Sequence, residues 1–346
     1  MTATASAATS VALFSGPADE WDAFVRHQPG HTAFHLHAWR HVVARVYGHR
    51  TPYLAARDAG GALTGVLPLV LVTSPVFGRY LVSMPFVNYG GPLGSDEAVR
   101  TLAAEAVRLA EREKVKLLEL RSRARLPLDM PVSHRKITVV LDLPDTPEQL
   151  MKSFESKLRS QVRRPEKEGI VVRFGREQVE PFYRVFAHHM RDLGTPVQPL
   201  RLFNELADAF GDEFWVGCAW LGDVPVAAGC GFRWAQEFEM TWASSLYAYN
   251  RLSPNMGLYW AFMARAVAER LEVFNFGRCS PGGGTHRFKS QWGSRDEQLW
   301  WYQHGAVAAS TPSPDDGAYS WGPRLWRHLP VPIANLLGPP IVAGIP

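Results

Sequence analysis

Apolar positions along the chain follow two periods. Short runs closed by Gly/Asp turns read as strands, and stretches repeating every three to four residues read as helices. Residues 53–57, a turn at 58–61 and residues 64–72 predict one β-hairpin. Residues 214–220, the turn Leu221-Gly222-Asp223 and residues 224–234 predict another. Each hairpin has the same sequel. In the first half a strand at 80–84 leads through Asn88-Tyr89-Gly90-Gly91-Pro92 into a helix over 96–112, with Val99, Leu102, Ala103, Ala106, Leu109 and Ala110 on one face, and a strand at 116–121 follows. In the second half the strand is 238–244, the loop 245–251, the helix 254–270 and the last strand 272–276. Ser253 predicts an N-cap and Pro254 a first helical residue.

The offsets agree. Phe214 follows Tyr53 by 161 residues, and Glu272 follows Lys116 by 156. Upstream, a helix at 38–46 ending at Gly48 matches one at 202–210 ending at Gly211. Two similar α/β units follow, at 11–143 and 144–305. Residues 148–169 predict a basic amphipathic helix interrupted by Pro165. From Lys152 to Arg176 there are eight Lys/Arg against three Glu. Residues 306–346 form a Pro/Gly-rich tail with eight prolines and four glycines, too many for a packed domain. Its segment 321–337, with Trp321, Leu325, Trp326, Leu329, Leu336, Leu337, Arg324 and Arg327, suits either packing on the protein or a membrane surface.

Composition narrows the class. With 46% hydrophobic and 20% charged residues the 346-residue chain is globular rather than disordered. Its longest apolar run, about 66–72, is far short of a membrane span. The Ala/Ser/Thr-rich start lacks the basic and apolar regions of a secretory leader, so a cytoplasmic chain is expected, reaching the inner face of the membrane if the tail lies on it. Cys218, Cys230 and Cys279 offer neither a C-x-x-C pair nor a disulfide framework. The net charge of +4 does not by itself select a nucleic-acid partner. His31, His35, His37 and His41 are dense, but no Cys or paired carboxylate joins them, and no metal site is expected. There is no Gly-x-Ser-x-Gly elbow and no P-loop.

Helices, hairpin, strand, loop, helix, strand is an order that resembles the GNAT acyltransferase fold. The fold class expected is therefore α/β: two tandem GNAT-like units with mixed sheets flanked by helices. Such a pair resembles the FemABX family, in three places. Val-Ser-Met-Pro-Phe-Val-Asn-Tyr-Gly-Gly-Pro at 82–92 is similar to the family's Tyr-x-Pro-x-Gly-Pro loop. Ser-Lys-Leu-Arg-Ser-Gln-Val-Arg-Arg at 156–164, followed by Gly169, is similar to its basic Lys-x-Arg helix. Phe274-Asn275-Phe276-Gly277-Arg278, a Gly-rich turn and Phe288-Lys289-x-x-Trp292-Gly293 complete the match, which covers about residues 20–305. The resemblance extends to FemAB-related proteins of exosortase and exopolysaccharide systems. It implies transfer of an amino acid from charged tRNA to a peptidoglycan-type precursor. It also implies that the lysine of the Phe-Lys motif, here Lys289, holds a phosphate or stabilises an oxyanion. The long coiled-coil arm of some members is missing from this chain.

The residues themselves give the same candidates. Lys289 follows Gly282-Gly283-Gly284 on a short helix. Asn275 and Arg278 end a strand facing the predicted cleft, where α/β folds place ligands, and Arg278 suits a phosphate or carboxylate. His286 and Glu239 are candidate bases. Strand alternation puts Glu237, Glu239 and Thr241 on one face, and Phe238, Met240 and Trp242 on the other, with Trp242 near the cleft. In the first unit Tyr89, Gly90, Gly91 and Arg121 are candidate ligand contacts. Lys157, Arg159, Arg163 and Arg164 suit a phosphate-rich partner: a phosphorylated envelope or glycan precursor, or tRNA.

The reaction expected is acyl or aminoacyl transfer to an amine by direct attack, without metal and with no tightly bound cofactor. The donor is aminoacyl-tRNA or acyl-CoA. Asn250-Arg251-Leu252-Ser253-Pro254-Asn255-Met256-Gly257 has one glycine where CoA-dependent GNAT enzymes have a Gly-rich loop, and Pro254 removes an N–H donor. A CoA-dependent N-acetyltransferase and a non-catalytic glycan- or phosphate-binding protein remain the alternatives.

Overall fold

The computed structural model describes residues 10–305 and 321–346. The start before Ser10, residues 306–320 of the tail and the side chain of Trp321 lie outside the described residues. Two compact units are present: one of residues 10–135, 298–305 and 343–346, the other of 136–297 and 321–342.

The first unit runs β1 (Ser10–Leu13), α1 (Ala18–Arg26), α2 (Ala38–Tyr47), β2 (Leu54–Arg57), β3 (Leu63–Leu67), β4 (Val70–Ser74), β5 (Gly78–Val82), β6 (Leu93–Gly94), α3 (Asp96–Arg112), β7 (Leu117–Ser122) and β8 (Val132–Ser133). Helix α3 forms where its 3–4 spacing predicts. Ser95 caps it by accepting the Ala98 N–H, and its apolar stripe enters the core with Leu54, Leu67, Leu81, Leu118 and Leu120. The predicted strand 64–72 is instead two strands. Pro68 has no N–H to keep a ladder going, and β3 and β4 join different sheets, ordered β1-β2-β3-β6 and, with β16 (Trp300–Gly305), β4-β5-β7-β16-β8.

The second unit runs β9 (Ile137–Asp142), α4 (Pro147–Ser153), α5 (Ser156–Lys167), β10 (Ile170–Phe174), α6 (Val179–Leu193), α7 (Leu200–Phe210), β11 (Phe214–Leu221), β12 (Val224–Trp234), β13 (Glu237–Ser245), α8 (Pro254–Ala268), β14 (Val273–Cys279), α9 (Gly284–Ser290) and β15 (Arg295–Gln298). Its proline, Pro225, sits near the start of β12, so the hairpin stays whole within one seven-stranded sheet, β10-β11-β12-β13-β14-β9-β15. The basic helix predicted over 148–169 is two helices, parted where Phe154 is extended (φ −75°, ψ 148°). Pro165 lies inside α5, not at a break, and packs on α8: a Cβ on Gly257 would stand 2.9 Å from it. After β15, β16 (Trp300–Gly305) returns to the first unit, and α10 (Trp321–Trp326) and α11 (Val331–Ala343) follow.

Strand membership departs from the sequence boundaries at 143 and 305. Strand β9 lies with the second unit, antiparallel to β14, and β16 with the first, antiparallel to β7. β7 and β14 are buried strands that need a partner on each side, and in each case that partner comes from beyond the unit's own run of sequence. β16 also closes the first core, since Tyr302 is buried against it and accepts the Leu126 N–H at 2.7 Å. Replacing a buried aromatic side chain by alanine costs about 3–5 kcal/mol. Tyr302→Ala is therefore expected to destabilise the first unit by about that amount. Urea unfolding combined with limited proteolysis should show cleavage concentrated at residues 10–135, and a uniform loss across both units would contradict this placement.

Candidate active site

Parallel pairing between β13 and β14 runs through Glu237↔Val273, Phe238↔Phe274 and Glu239↔Asn275, and stops there. Beyond that point β13 stays on β12 and β14 stays on β9. Both strands are bulged at the parting. On β13 the register to β12 shifts between Met240 and Trp242. On β14 it shifts between Asn275 and Arg278, where Gly277 takes φ +73°. Bulges re-aim side chains and end pairing, which is how two adjacent strands open a fork.

Four predicted residues meet at this fork. Asn275 is fully buried, and its Oδ1 accepts from Thr138 Oγ1 at 2.6 Å and from the Gly277 N–H at 2.8 Å. Its Nδ2 donates to Glu237 Oε1 at 2.8 Å. Asn275 thus braces the bulge with both ends of its amide, rather than facing a ligand as the sequence suggested. Lys289, on α9, is 4% exposed. Its Nζ donates to the carbonyls of Gly277 at 2.6 Å and Arg278 at 3.0 Å, pinning the strand end from which the half-buried Arg278 projects. An ammonium has three N–H bonds, so one is left for a further acceptor. Burial pushes the Lys289 amine down to about 8, opposed in part by Cys279 and by Glu239, a buried carboxylate beside it.

The other candidates stand elsewhere. His286 receives the Gly282 N–H on Nδ1 at 3.0 Å, and its Nε2 meets Asp296 at 2.9 Å. Both ring nitrogens are engaged, so the imidazole ties the Gly-rich turn to β15 instead of standing ready as a base. Trp242 leaves the face it was assigned. The bulge reverses the alternation, and its ring packs on Phe203 at 5.4 Å and Phe232 at 6.5 Å, away from Phe238 and Met240 in the core. Ser253 adopts φ +55° and makes no side-chain cap to α8. The cations of α5 diverge. Lys157 lines a cleft of about 390 Å³ with Gln161 and Gln291. Arg163 lines a groove of about 670 Å³ with Trp260 and Val171. Arg159 donates to the Phe154 carbonyl, and Arg164 pairs with Glu168 at 3.5 Å.

In the first unit Arg121 is buried rather than open to a ligand. Its Nε donates to Glu119 Oε1 at 2.7 Å, and its guanidinium lies 4.5 Å over the Trp301 ring. Gly91 and Gly90 serve close packing: a Cβ would stand 2.9 Å from the Arg121 carbonyl at the first and 2.5 Å from Met84 at the second. Tyr89 is buried against Phe34, ring centroids 5.5 Å apart. The dense histidines separate in role. His35 accepts the Thr32 N–H on Nδ1 and donates Nε2–H to the Gly91 carbonyl, while His37 packs among Phe14, Trp21 and Tyr53. Burial pushes both imidazoles down to about 4. Among the described residues no group of three or more His, Cys, Asp or Glu is placed to hold a metal ion. Sequence reasoning passed over Thr138, because β9 was assigned to the other unit, and Asp296, whose role appears only once α9 and β15 are side by side.

A forked parallel pair with a helix entering from the loop after its first strand is the GNAT arrangement. Both units are GNAT-like. A model of the acetyltransferase (GNAT) domain family matches residues 152–290. The structure of FemX superimposes with a TM-score of 0.64 at 15% identity, covering 84% of this chain and 96% of that one. The L-PGS of Bacillus licheniformis gives 0.57 at 10% identity over 95% and 97%. The domain assigned as the C-terminal part of a lysylphosphatidylglycerol synthetase of Agrobacterium fabrum gives 0.56 at 12% over 84% and 93%. No curated protein matches significantly in sequence.

Two outcomes are expected at the fork. Removing the Asn275 amide takes a hydrogen-bond partner from Thr138, the Gly277 N–H and Glu237, so Asn275→Ala should cost about 3 kcal/mol in urea unfolding. Between pH about 8 and the ordinary lysine value of 10.5 the unfolded chain holds a proton that native Lys289 has lost. Lys289 therefore adds stability as pH rises through that window and penalises the fold below it. Unfolding at pH 7.5 and 9.5 should show this increment in wild type and not in Lys289→Met; equal increments would disprove the assignment.

Proposed function

We propose that this chain is an acyltransferase that moves an aminoacyl or acyl group from an activated ester or thioester to an amine of a phosphorylated cell-envelope or exopolysaccharide precursor. The observation that carries the reading is the fork between β13 and β14, with buried Lys289 beneath it and Glu239 alongside. The donor carbonyl lies in the fork. The acceptor nitrogen attacks its carbon, forming the C–N bond and breaking the C–O or C–S bond. Glu239 takes the proton shed by the nitrogen and returns it to the leaving oxygen or sulfur. The positive Lys289 and the strand end that it pins stabilise the oxyanion. Orientation in the fork contributes several kcal/mol of the barrier reduction. The phosphates of donor or acceptor meet Arg278 and the exposed cations of α5.

Charged tRNA is the donor this reading favours. Pro254 and the left-handed Ser253 occupy the start of α8, and Gly257 is taken up by contact with Pro165. The match to an acetyltransferase domain supports acyl-CoA as the second reading. Isothermal titration with bulk aminoacyl-tRNA and with acetyl-CoA separates them. Micromolar binding of charged tRNA, weakened by Lys157→Glu with Arg163→Glu, is expected. Saturable acetyl-CoA binding without tRNA binding would establish the second reading, and binding of neither would remove both. With the donor known, Lys289→Met should lower turnover by about a hundredfold. Because Lys289 acts as a cation, wild-type activity should fall as pH rises through about 8. Activity that rises there would assign it to proton abstraction instead.

A further inference from the structure

Four of the exposed large apolar side chains among the described residues lie in one short stretch: Leu325 on α10 and Ile333, Leu336 and Leu337 on α11. Leu336 is 74% exposed. Helix α11, Val-Pro-Ile-Ala-Asn-Leu-Leu-Gly-Pro-Pro-Ile-Val-Ala, has no charged residue. A helix apolar all round is ordinarily buried in a core or in lipid. Here its burial is inverted. The residues turned to the protein are the small ones, Ala334 and Gly338, four apart on one face. A Cβ on Gly338 would stand 2.8 Å from the backbone nitrogen of Val197, so nothing larger fits there. The large side chains face outward, and the transfer free energy of those side chains goes unrealised in the isolated protein.

This orientation is fixed. Arg191 donates to the Leu329 carbonyl at 3.1 Å and Arg327 to the Leu193 carbonyl at 3.3 Å. Gly194 leaves no room for a Cβ against the backbone of Pro323. The C-terminal end of α6 thus holds the turn that precedes α11. Charge points the same way. From residue 321 to 346 there is no Asp or Glu, while Arg324, Arg327 and His328 are exposed around Leu325. At 13 residues α11 is roughly 20 Å long, too short to cross a hydrocarbon core of about 30 Å.

We infer that the outer face of α10 and α11 is a membrane-docking surface. It seats Leu325, Ile333, Leu336 and Leu337 at the headgroup–acyl boundary of an anionic bilayer, with Arg324 on lipid phosphate. The inference does not rest on the acyl-transfer reading, and its test contains no donor or acceptor.

Flotation of the full-length protein with vesicles of phosphatidylcholine plus phosphatidylglycerol, and of phosphatidylcholine alone, tests it. The protein should float with the anionic vesicles, less with the neutral ones, and less at high salt. Leu336→Glu with Leu337→Glu should lower the bound fraction at least about tenfold, with thermal midpoint and gel-filtration volume unchanged because both side chains are exposed. Arg324→Glu should weaken binding to the anionic vesicles alone. If the double variant misfolds, Leu325→Ser and Ile333→Ser on separate helices carry the same comparison. Absence of flotation with either vesicle would overturn the inference, as would flotation indifferent to these variants. So would a concentration-dependent dimer that the double variant dissolves, which would assign the face to a second copy of the chain.

Discussion

Where β13 and β14 part after Glu239 and Asn275, two neighbouring strands give up their mutual hydrogen bonds inside a packed sheet. Unpaired backbone groups in such a place are costly, so something must hold each strand on its far side. For β13 it is β12, and for β14 it is β9. The Asn275 amide then makes the opening permanent by joining Thr138 of β9, the Gly277 N–H and Glu237 of β13. Lys289 adds a second fastening at the Gly277 and Arg278 carbonyls. Glu239 beside the fork and Arg278 at the strand end owe their positions to these contacts.

The first unit solves the corresponding problem differently. Glu119 stands 156 residues before Asn275, the offset of the repeat, and like it is fully buried at the end of the parallel pairing, opposite Val82. Its partners are the Arg121 guanidinium and the Gln303 amide of β16, so an ion pair stands where the second unit has a neutral asparagine. A buried ion pair gains little over apolar packing, but losing one partner strands a charge at a cost of about 3–5 kcal/mol. Arg121 is thereby committed to structure, with Trp301 covering its guanidinium. The two units hold corresponding strands with different chemistry, and among the described residues the open polar fork with a lysine beneath it is in the second.

Local patterns determined much of this protein. The hairpin at 214–234, helix α3 to the residue, α8 and the strands around them follow from periods of two and three to four residues, because those periods reflect which face of each element meets the core. Repetition of the order then leads to tandem GNAT-like units. Arg278 and Lys289 were legible as neighbours because the strand end and the turn that carry them lie close in sequence, whereas Glu239, on β13, comes beside Lys289 only through the fold. Tertiary structure decided the rest, wherever a residue's role depends on a partner far along the chain. Whether β9 and β16 complete one unit or the other turns on which open strand they pair with. That pairing made Asn275 and Arg121 braces and brought in Thr138. The bulge at Thr241 turned Trp242 to the opposite face, since one extra residue reverses the alternation from which its side was read. Composition gave the tail its apolar residues, but docking of Ala334 and Gly338 decided that the large ones face outward, because only the smallest side chains fit against the backbone at Val197.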